Sequence, residues 1–282
     1  MTDDSRAEEP LLSVRGVGFS HGALPALQNV SFDLRPGRHY IVAGPNGAGK
    51  STLLDILANL KRPRTGAVRI AGRPLGLYAH GRLARLLALA PQEFQLDFSF
   101  SIREIVAMGR RPYLERWGRL GDDDEQIVAQ AIDAMHLGHI AGKSVMALSG
   151  GEKRRCIVAR ALAQTTPVLL LDEPSSGLDI AQSLSVMALA RSMAESGVLV
   201  ITVSHDLNLA ARYGHEFIFL KNGQLEAIGP TKSVFTDETL SRLYETDAKV
   251  SRDAFTGAPA VSFRTKEGSP APAMPLGMIG RE

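Results

Sequence analysis

The segment Gly44-Pro45-Asn46-Gly47-Ala48-Gly49-Lys50-Ser51 combines residue types that can grip a polyphosphate. Its glycines let successive backbone N–H groups turn inward around the anion, Lys50 can reach the β and γ phosphates, and the Ser51 hydroxyl can ligate Mg²⁺. Thr52 follows directly and joins this nucleotide-binding set. The loop comes after an apolar strand and opens a helix expected to carry Leu53, Leu54, Leu57 and Leu60 on its inner side. Phosphates held there lie at a helix N-terminus, where free N–H groups and the dipole favour negative charge.

Two further segments carry groups suited to the same chemistry. The run Val168-Leu169-Leu170-Leu171 leads into Asp172-Glu173. Alone, that acidic pair reads as a solvated strand end; beside a phosphate loop, Asp172 can hold Mg²⁺ through water and Glu173 can orient or deprotonate an attacking water. Leu148-Ser149-Gly150-Gly151-Glu152 precedes a helix running through Ile157, Val158, Ala161 and Leu162. Ser149 is either a plain N-cap or, with the glycine N–H groups, part of a second anion-binding helix start. Gln92 and His205, taken singly, are a strand-end amide and a structural histidine.

The elements that must position these groups are legible in outline. Val30, Phe32 and Leu34 alternate with Ser31, Asp33 and Arg35, so 11–35 reads as short strands with one buried face. The runs 40–43, 86–90, 168–171 and 198–203 are apolar without alternation, as expected of strands covered on both faces of a parallel sheet. Each is followed by groups able to handle phosphate, metal or water: the glycine loop, Gln92, Asp172-Glu173 and His205. Ligands of open parallel sheets sit at those strand ends, so four separated segments point at one crevice. Between Gln92 and Ser149 the pattern turns helical, with Ile102 to Met108 and Gln126 to Leu137 as helices and Asp122 to Glu125 capping the second. From about Thr246 the chain becomes richer in Gly, Pro and Ala, and 268–282 reads as disordered or loosely attached. No internal repeat is found.

Composition bounds the class. A chain of 282 residues suits a core domain with an inserted subdomain, and 44% apolar with 22% charged residues describes an ordinary globular protein. The net charge of +2 offers no bulk attraction for nucleic acid, so none is expected as a partner. One cysteine, Cys156, excludes an internal disulfide framework and suits a reducing compartment. The acidic, polar stretch 1–10 does not read as a secretory signal, and no apolar run approaches the roughly 18 residues that cross a bilayer.

Taken together, the loop at Gly44 to Ser51, Gln92, Leu148 to Glu152, Asp172-Glu173, Ser176-Gly177-Leu178-Asp179 and His205 resemble the ABC ATPase family in order and spacing. The resemblance covers roughly Leu11 to Lys249. It implies an α/β fold: a P-loop NTPase (RecA-like) core with an N-terminal antiparallel β subdomain and an inserted α-helical subdomain at about 93–163. The expected divisions are a disordered tail at 1–10, the ATPase domain at 11–250 and a partly disordered C-terminal extension at 251–282. It further implies ATP and Mg²⁺, and a head-to-tail homodimer in which Ser149, Gly150 and Gly151 meet the γ-phosphate held by the other copy. Glu173 would be the catalytic base, His205 a γ-phosphate contact, Asp179 a coupler of the two sites, and Gln92 a sensor of metal and membrane partner. His21 falls where family members usually carry an aromatic residue, often tyrosine, that stacks on adenine; an imidazole stacks over a smaller area.

Within the family, 87–92, 105–113 and 204–210 are similar to the importer ATPases for iron–siderophore complexes, haem and cobalamin. That similarity implies integral membrane permease subunits as partners, a solute-binding protein indirectly, and a peripheral location on the cytoplasmic face of the cell membrane. The alternative is a non-transport ATPase of DNA repair or translation; translation members carry two such domains, and repair members insert a long coiled coil. Phe94, Phe98 and Phe100 suit either a groove for a permease helix or the core of the helical insert. Cys156 is expected as a packed thiol, Lys153, Arg154 and Arg155 as a solvated helix face, and the basic stretch from Arg110 to Arg119, with Trp117, as surface.

Overall fold

The computed structural model describes residues 10–92, 99–115 and 118–265. The expectations for the N-terminal tail, Phe94, Phe98, Trp117 and 268–282 lie outside the described residues.

Strands β1 (Leu12–His21) and β2 (Leu24–Leu34) form an antiparallel pair joined through Gly22 at φ 60°. Val30, Phe32 and Leu34 are buried while Ser31, Asp33 and Arg35 are exposed, the period of two that the alternation demands. The chain then enters a second sheet with β3 (His39–Ala43), passes through the glycine loop into α1 (Lys50–Leu57), and returns to the first sheet as β4 (Thr65–Ile70) and β5 (Arg73–Pro74). The first sheet has the order β2-β1-β4-β5 and every pairing in it is antiparallel. Leu53, Leu54 and Leu57 are buried as expected, but Leu60 is 65% exposed. Helix α1 has already ended, because Asn59 adopts φ 58° and turns the chain away before Leu60 can reach the core.

After α2 (His80–Leu83), β6 (Leu87–Ala90) rejoins the second sheet and leads to the helical insert. Its main helices are α3 (Ile102–Ala107), α4 (Asp122–Ala134) and α5 (Gly150–Ala163). Ser101 and Glu104 cap α3 reciprocally, and four acids open α4, each device meeting N–H groups that the helix leaves unpaired. Ile102, Ile105, Val128, Ile132, Ile157 and Val158 share one core. Arg110 corrects the surface expectation for the basic stretch. It is 6% exposed, with Nε donating to Asp124 (2.8 Å) and Nη1 to the Ala163 carbonyl (2.9 Å) and Thr165 Oγ1 (2.7 Å). A guanidinium is tolerated there because its donors find acceptors from α4 and the end of α5.

The core resumes with β7 (Val168–Asp172), α6 (Ile180–Glu195), β8 (Leu199–Val203), α7 (Leu207–Tyr213), β9 (Glu216–Lys221) and β10 (Gln224–Pro230). The second sheet has the order β10-β9-β3-β8-β7-β6, parallel throughout except for β10. Val168, Leu170, Ile201 and Val203 face the core shared with α1 and the first sheet, whereas Leu169, Leu171 and Val200 face α5 and α6. Both faces are covered, which is why these strands read as unbroken apolar runs. Helices α8 (Thr231–Val234) and α9 (Asp237–Tyr244) precede a hairpin of β11 (Asp247–Arg252) and β12 (Pro259–Arg264), which crosses the boundary expected at 250. Among the described residues no helix is long and apolar enough to cross a membrane.

Candidate active site

Parallel pairing sets β3, β8, β7 and β6 side by side, so the glycine loop, His205, Asp172-Glu173 and Gln92 all leave the sheet at one edge. The loop needs its glycines for different reasons. Gly44 (φ 150°) and Gly49 (φ 97°) pass so close to other backbone that an added Cβ would lie 2.1 Å from the Leu220 carbonyl oxygen and 2.4 Å from that of Ala26. Gly47 (φ 77°) faces open space, which leaves room for a ligand against the backbone. Pro45, Asn46 and Ala48 complete the turn, with the Ala48 N–H bonded to the Pro45 carbonyl.

Lys50 is 6% exposed and folds back so that Nζ donates to the carbonyls of Gly44 and Pro45, both at 2.8 Å. Burial lowers its pKa, and the nearby Glu173 and Asp172 oppose that shift. Ser51 is exposed at the start of α1. Thr52 Oγ1 lies 3.2 Å from His21 Nε2, which sets the imidazole at the side of the loop, edge-on to Phe19 at 5.0 Å.

Glu173 is the centre of the arrangement. It adopts φ 48°, a left-handed conformation rare for glutamate, and its N–H bonds to the Val203 carbonyl of β8. One carboxylate oxygen is 2.6 Å from His205 Nε2, and the other accepts from Gln92 Nε2 at 3.2 Å. Three residues expected to act together therefore meet on one carboxylate. Asp172, beside it, has its pKa raised to about 6, first by burial and then by repulsion from Glu173 and Asp55. Its Oδ1 is buried and lacks a hydrogen-bond partner. An orphaned carboxylate oxygen is a hard donor and fits Mg²⁺, an ion that takes one or two carboxylates and completes its shell with phosphate and water.

The remaining expected residues stand at the starts of α5 and α6. Ser149 spends its hydroxyl on the Glu152 N–H of its own helix (3.3 Å), and Glu152 returns a bond to the Ser149 N–H (2.7 Å). Within one chain this serine is a cap, and Gly150 lies exposed at the start of α5. Gly150 has open space around its Cβ direction, while Gly151 packs near Leu178 and the Gly177 carbonyl. Asp179 caps α6 by accepting from the Gln182 N–H at 2.8 Å.

The solvated-face expectation for the residues after Gly151 holds for Lys153 but fails for its neighbours. Arg154 donates to the Pro91 carbonyl at 2.9 Å, directly before Gln92, and its charge acts on Asp172 and Glu173. Arg155 is 9% exposed and donates to the Met135 and His136 carbonyls. The end of α4 and the exit of β6 bring those carbonyls to α5, a proximity that helical spacing does not encode. Cys156 is fully buried, with burial pushing its thiol up to about 12, so it packs as a small apolar group.

Sequence and fold are similar to those of known proteins. Residues 27–176 match the family described as ABC transporter. The chain belongs to the ABC transporter family. Within it, the hemin import ATP-binding protein HmuV of Thermobifida fusca is 40% identical over 253 residues, spanning 89% of this chain and 88% of that protein. A solved inward-facing, metal-chelate type ABC transporter superposes with a TM-score of 0.77 at 29% identity, covering 91% of this chain and 97% of that one. A dimeric ATP-binding cassette in a post-hydrolysis state with ADP and Pi gives 0.70 at 28% identity, covering 78% and 98%. This protein is accordingly an ABC-type ATPase with a P-loop core, an antiparallel β subdomain and a helical insert.

Proposed function

We propose that this chain is the ATP-hydrolysing subunit of an importer for haem or a related metal chelate, working as a head-to-tail homodimer beneath a separate membrane permease. The observation that carries the catalytic part is the convergence of Gln92 and His205 on Glu173, with Lys50 close enough to feel its charge. The importer part rests on the hemin-import relative and the metal-chelate transporter neighbour.

In this reading, the phosphates draw Lys50 away from the Gly44 and Pro45 carbonyls and take the N–H groups of the loop and of α1. Ser51, Asp172 and Gln92 would hold Mg²⁺, which would supply neutralisation of the phosphate charge. Glu173 takes a proton from the attacking water as its oxygen bonds to the γ phosphorus and the bond from that phosphorus to the β–γ bridging oxygen breaks, so that ADP leaves with the bridging oxygen, while Gln92 and His205 fix the carboxylate. His205 is then placed to meet the γ-phosphate. Ser149, Gly150 and Gly151 face the nucleotide of the second copy, and Asp179 links the two sites. His21 packs on the adenine side. Closure of the dimer passes to the permease through the surface around Gln92, and a solute-binding protein delivers the cargo from the far side.

The test is Glu173→Gln in the full-length protein, followed by turnover and by sizing in the presence of ATP. Turnover should fall on the order of a hundredfold or more, with ATP retained and a dimer accumulating. Undiminished hydrolysis would remove Glu173 from its role. For the transport half, ATPase activity should rise when the chain is reconstituted with a polytopic permease and a haem-loaded receptor.

A further inference from the structure

The hairpin β11–β12 is tied to the helix that carries His205 at its base. Helix α7 begins two residues after His205, and its second residue, Asn208, makes a two-way clasp with β12. Asn208 Nδ2 donates to the Val261 carbonyl at 3.2 Å, and Asn208 Oδ1 accepts from the Val261 N–H at 2.7 Å. The amide thus presents one donor and one acceptor to a backbone unit, as a neighbouring strand would. Val261 is itself buried in the core that includes Leu207, Ala210 and Phe217.

The residues on either side of His205 are equally constrained. Asp206 Oδ1 caps α7 through the Leu209 N–H at 2.9 Å, and the buried Ser204 donates to the Asp206 carbonyl at 3.3 Å. A helix of seven residues has little stability of its own, so its orientation comes from what it packs against. The same hairpin also packs against α9: Phe263 of β12 lies edge-on to Tyr244 at 5.4 Å.

We propose that Asn208 is a positioning residue for His205, and that the C-terminal hairpin is the brace it grips, holding His205 within hydrogen-bonding distance of Glu173. The proposal rests on the reading of His205 as a participant in hydrolysis. Rotation of α7 moves His205 directly, and displacement of a catalytic group by about 1 Å costs up to a hundredfold in rate.

The experiment uses full-length Asn208→Ala and Asn208→Asp, with steady-state ATPase kinetics normalised to folded protein. Asn208→Ala should lower kcat on the order of tenfold while KM for ATP stays within about twofold, because the loop that binds phosphate is untouched. Asn208→Asp keeps an acceptor for the Val261 N–H but sets a carboxylate oxygen against the Val261 carbonyl, so its kcat should fall as well. Parental kcat in Asn208→Ala, or a deficit accounted for wholly by unfolded protein, overturns the brace. His205→Ala, measured alongside, separates the two ideas. Normal turnover in that variant means the reading of His205 has failed, and the brace with it. Loss of turnover there, with Asn208→Ala at the parental kcat, sinks the brace alone.

Discussion

Lowering the pH from about 7.5 to about 5 sets a proton against the interior of this protein at His39. His39 opens β3 at the end of the sheet opposite the glycine loop and is fully buried. Its Nε2 lies 2.8 Å from Thr202 Oγ1 and its Nδ1 3.3 Å from the Tyr213 carbonyl. The neutral ring satisfies both, with Nδ1–H donating to the carbonyl and Nε2 accepting from the hydroxyl. A second ring proton would abolish that acceptor and leave a cation without water. Burial therefore drives the pKa from 6.5 to about 3, only partly opposed by the Tyr213 carbonyl, with His215 and Arg191 adding to the depression.

The unfolded chain takes up this proton near 6.5 and the folded chain only near 3, so the stabilisation is complete above the first value and is lost as pH falls toward the second. Each pH unit between them costs about 1.4 kcal/mol, which integrates to about 2 kcal/mol at pH 5. His215, whose pKa burial also lowers, acts in the same direction. Urea or thermal unfolding at the two pH values, on the parent and on His39→Gln, isolates the contribution. The uncharged variant should start less stable but lose about 2 kcal/mol less on acidification, roughly 3 to 4 °C in Tm for a protein of this size. Equal losses in parent and variant would refute the argument.

Other expectations are checked more briefly. Lys50→Ala removes the one ammonium inside the loop, and a nucleotide-binding titration should show affinity reduced at least tenfold; unchanged affinity would take Lys50 out of the site. Gly49→Ala places a methyl 2.4 Å from the Ala26 carbonyl at φ 97°, so nucleotide binding should be lost even where the protein still folds by circular dichroism. Arg110→Ala strands the Asp124 carboxylate and the Ala163 carbonyl, at a cost of about 3 kcal/mol by urea denaturation; replacing Arg110 and Asp124 together should recover part of it. Arg154→Gln releases the Pro91 carbonyl beside Gln92 and withdraws positive charge from Asp172, so turnover should fall about tenfold with the melting temperature little changed.

Much of this was decided by the sequence itself, because it depends on local constraints. Only glycine tolerates φ 97° with a carbonyl 2.4 Å from its Cβ direction, so Gly49 announces a tight anion loop wherever the chain folds. Strands covered on both faces cannot alternate, so 168–171 and 198–203 declare a buried parallel sheet before any pairing is known. What needed the tertiary structure is whatever depends on partners distant in the chain. Gln92 and Glu173 are 81 positions apart, and only the adjacency of β6 and β7 joins them. Arg154 and Arg155, expected on a solvated helix face, meet carbonyls distant in the chain, whereas Leu60, expected in the core, is turned out by its neighbour Asn59. Burial of a side chain is set by which distant carbonyls or turns the fold brings to it, and periodicity carries no record of them. The clasp between Asn208 and Val261 belongs to the same class: an amide beside a backbone 53 positions away has no signature in either segment alone.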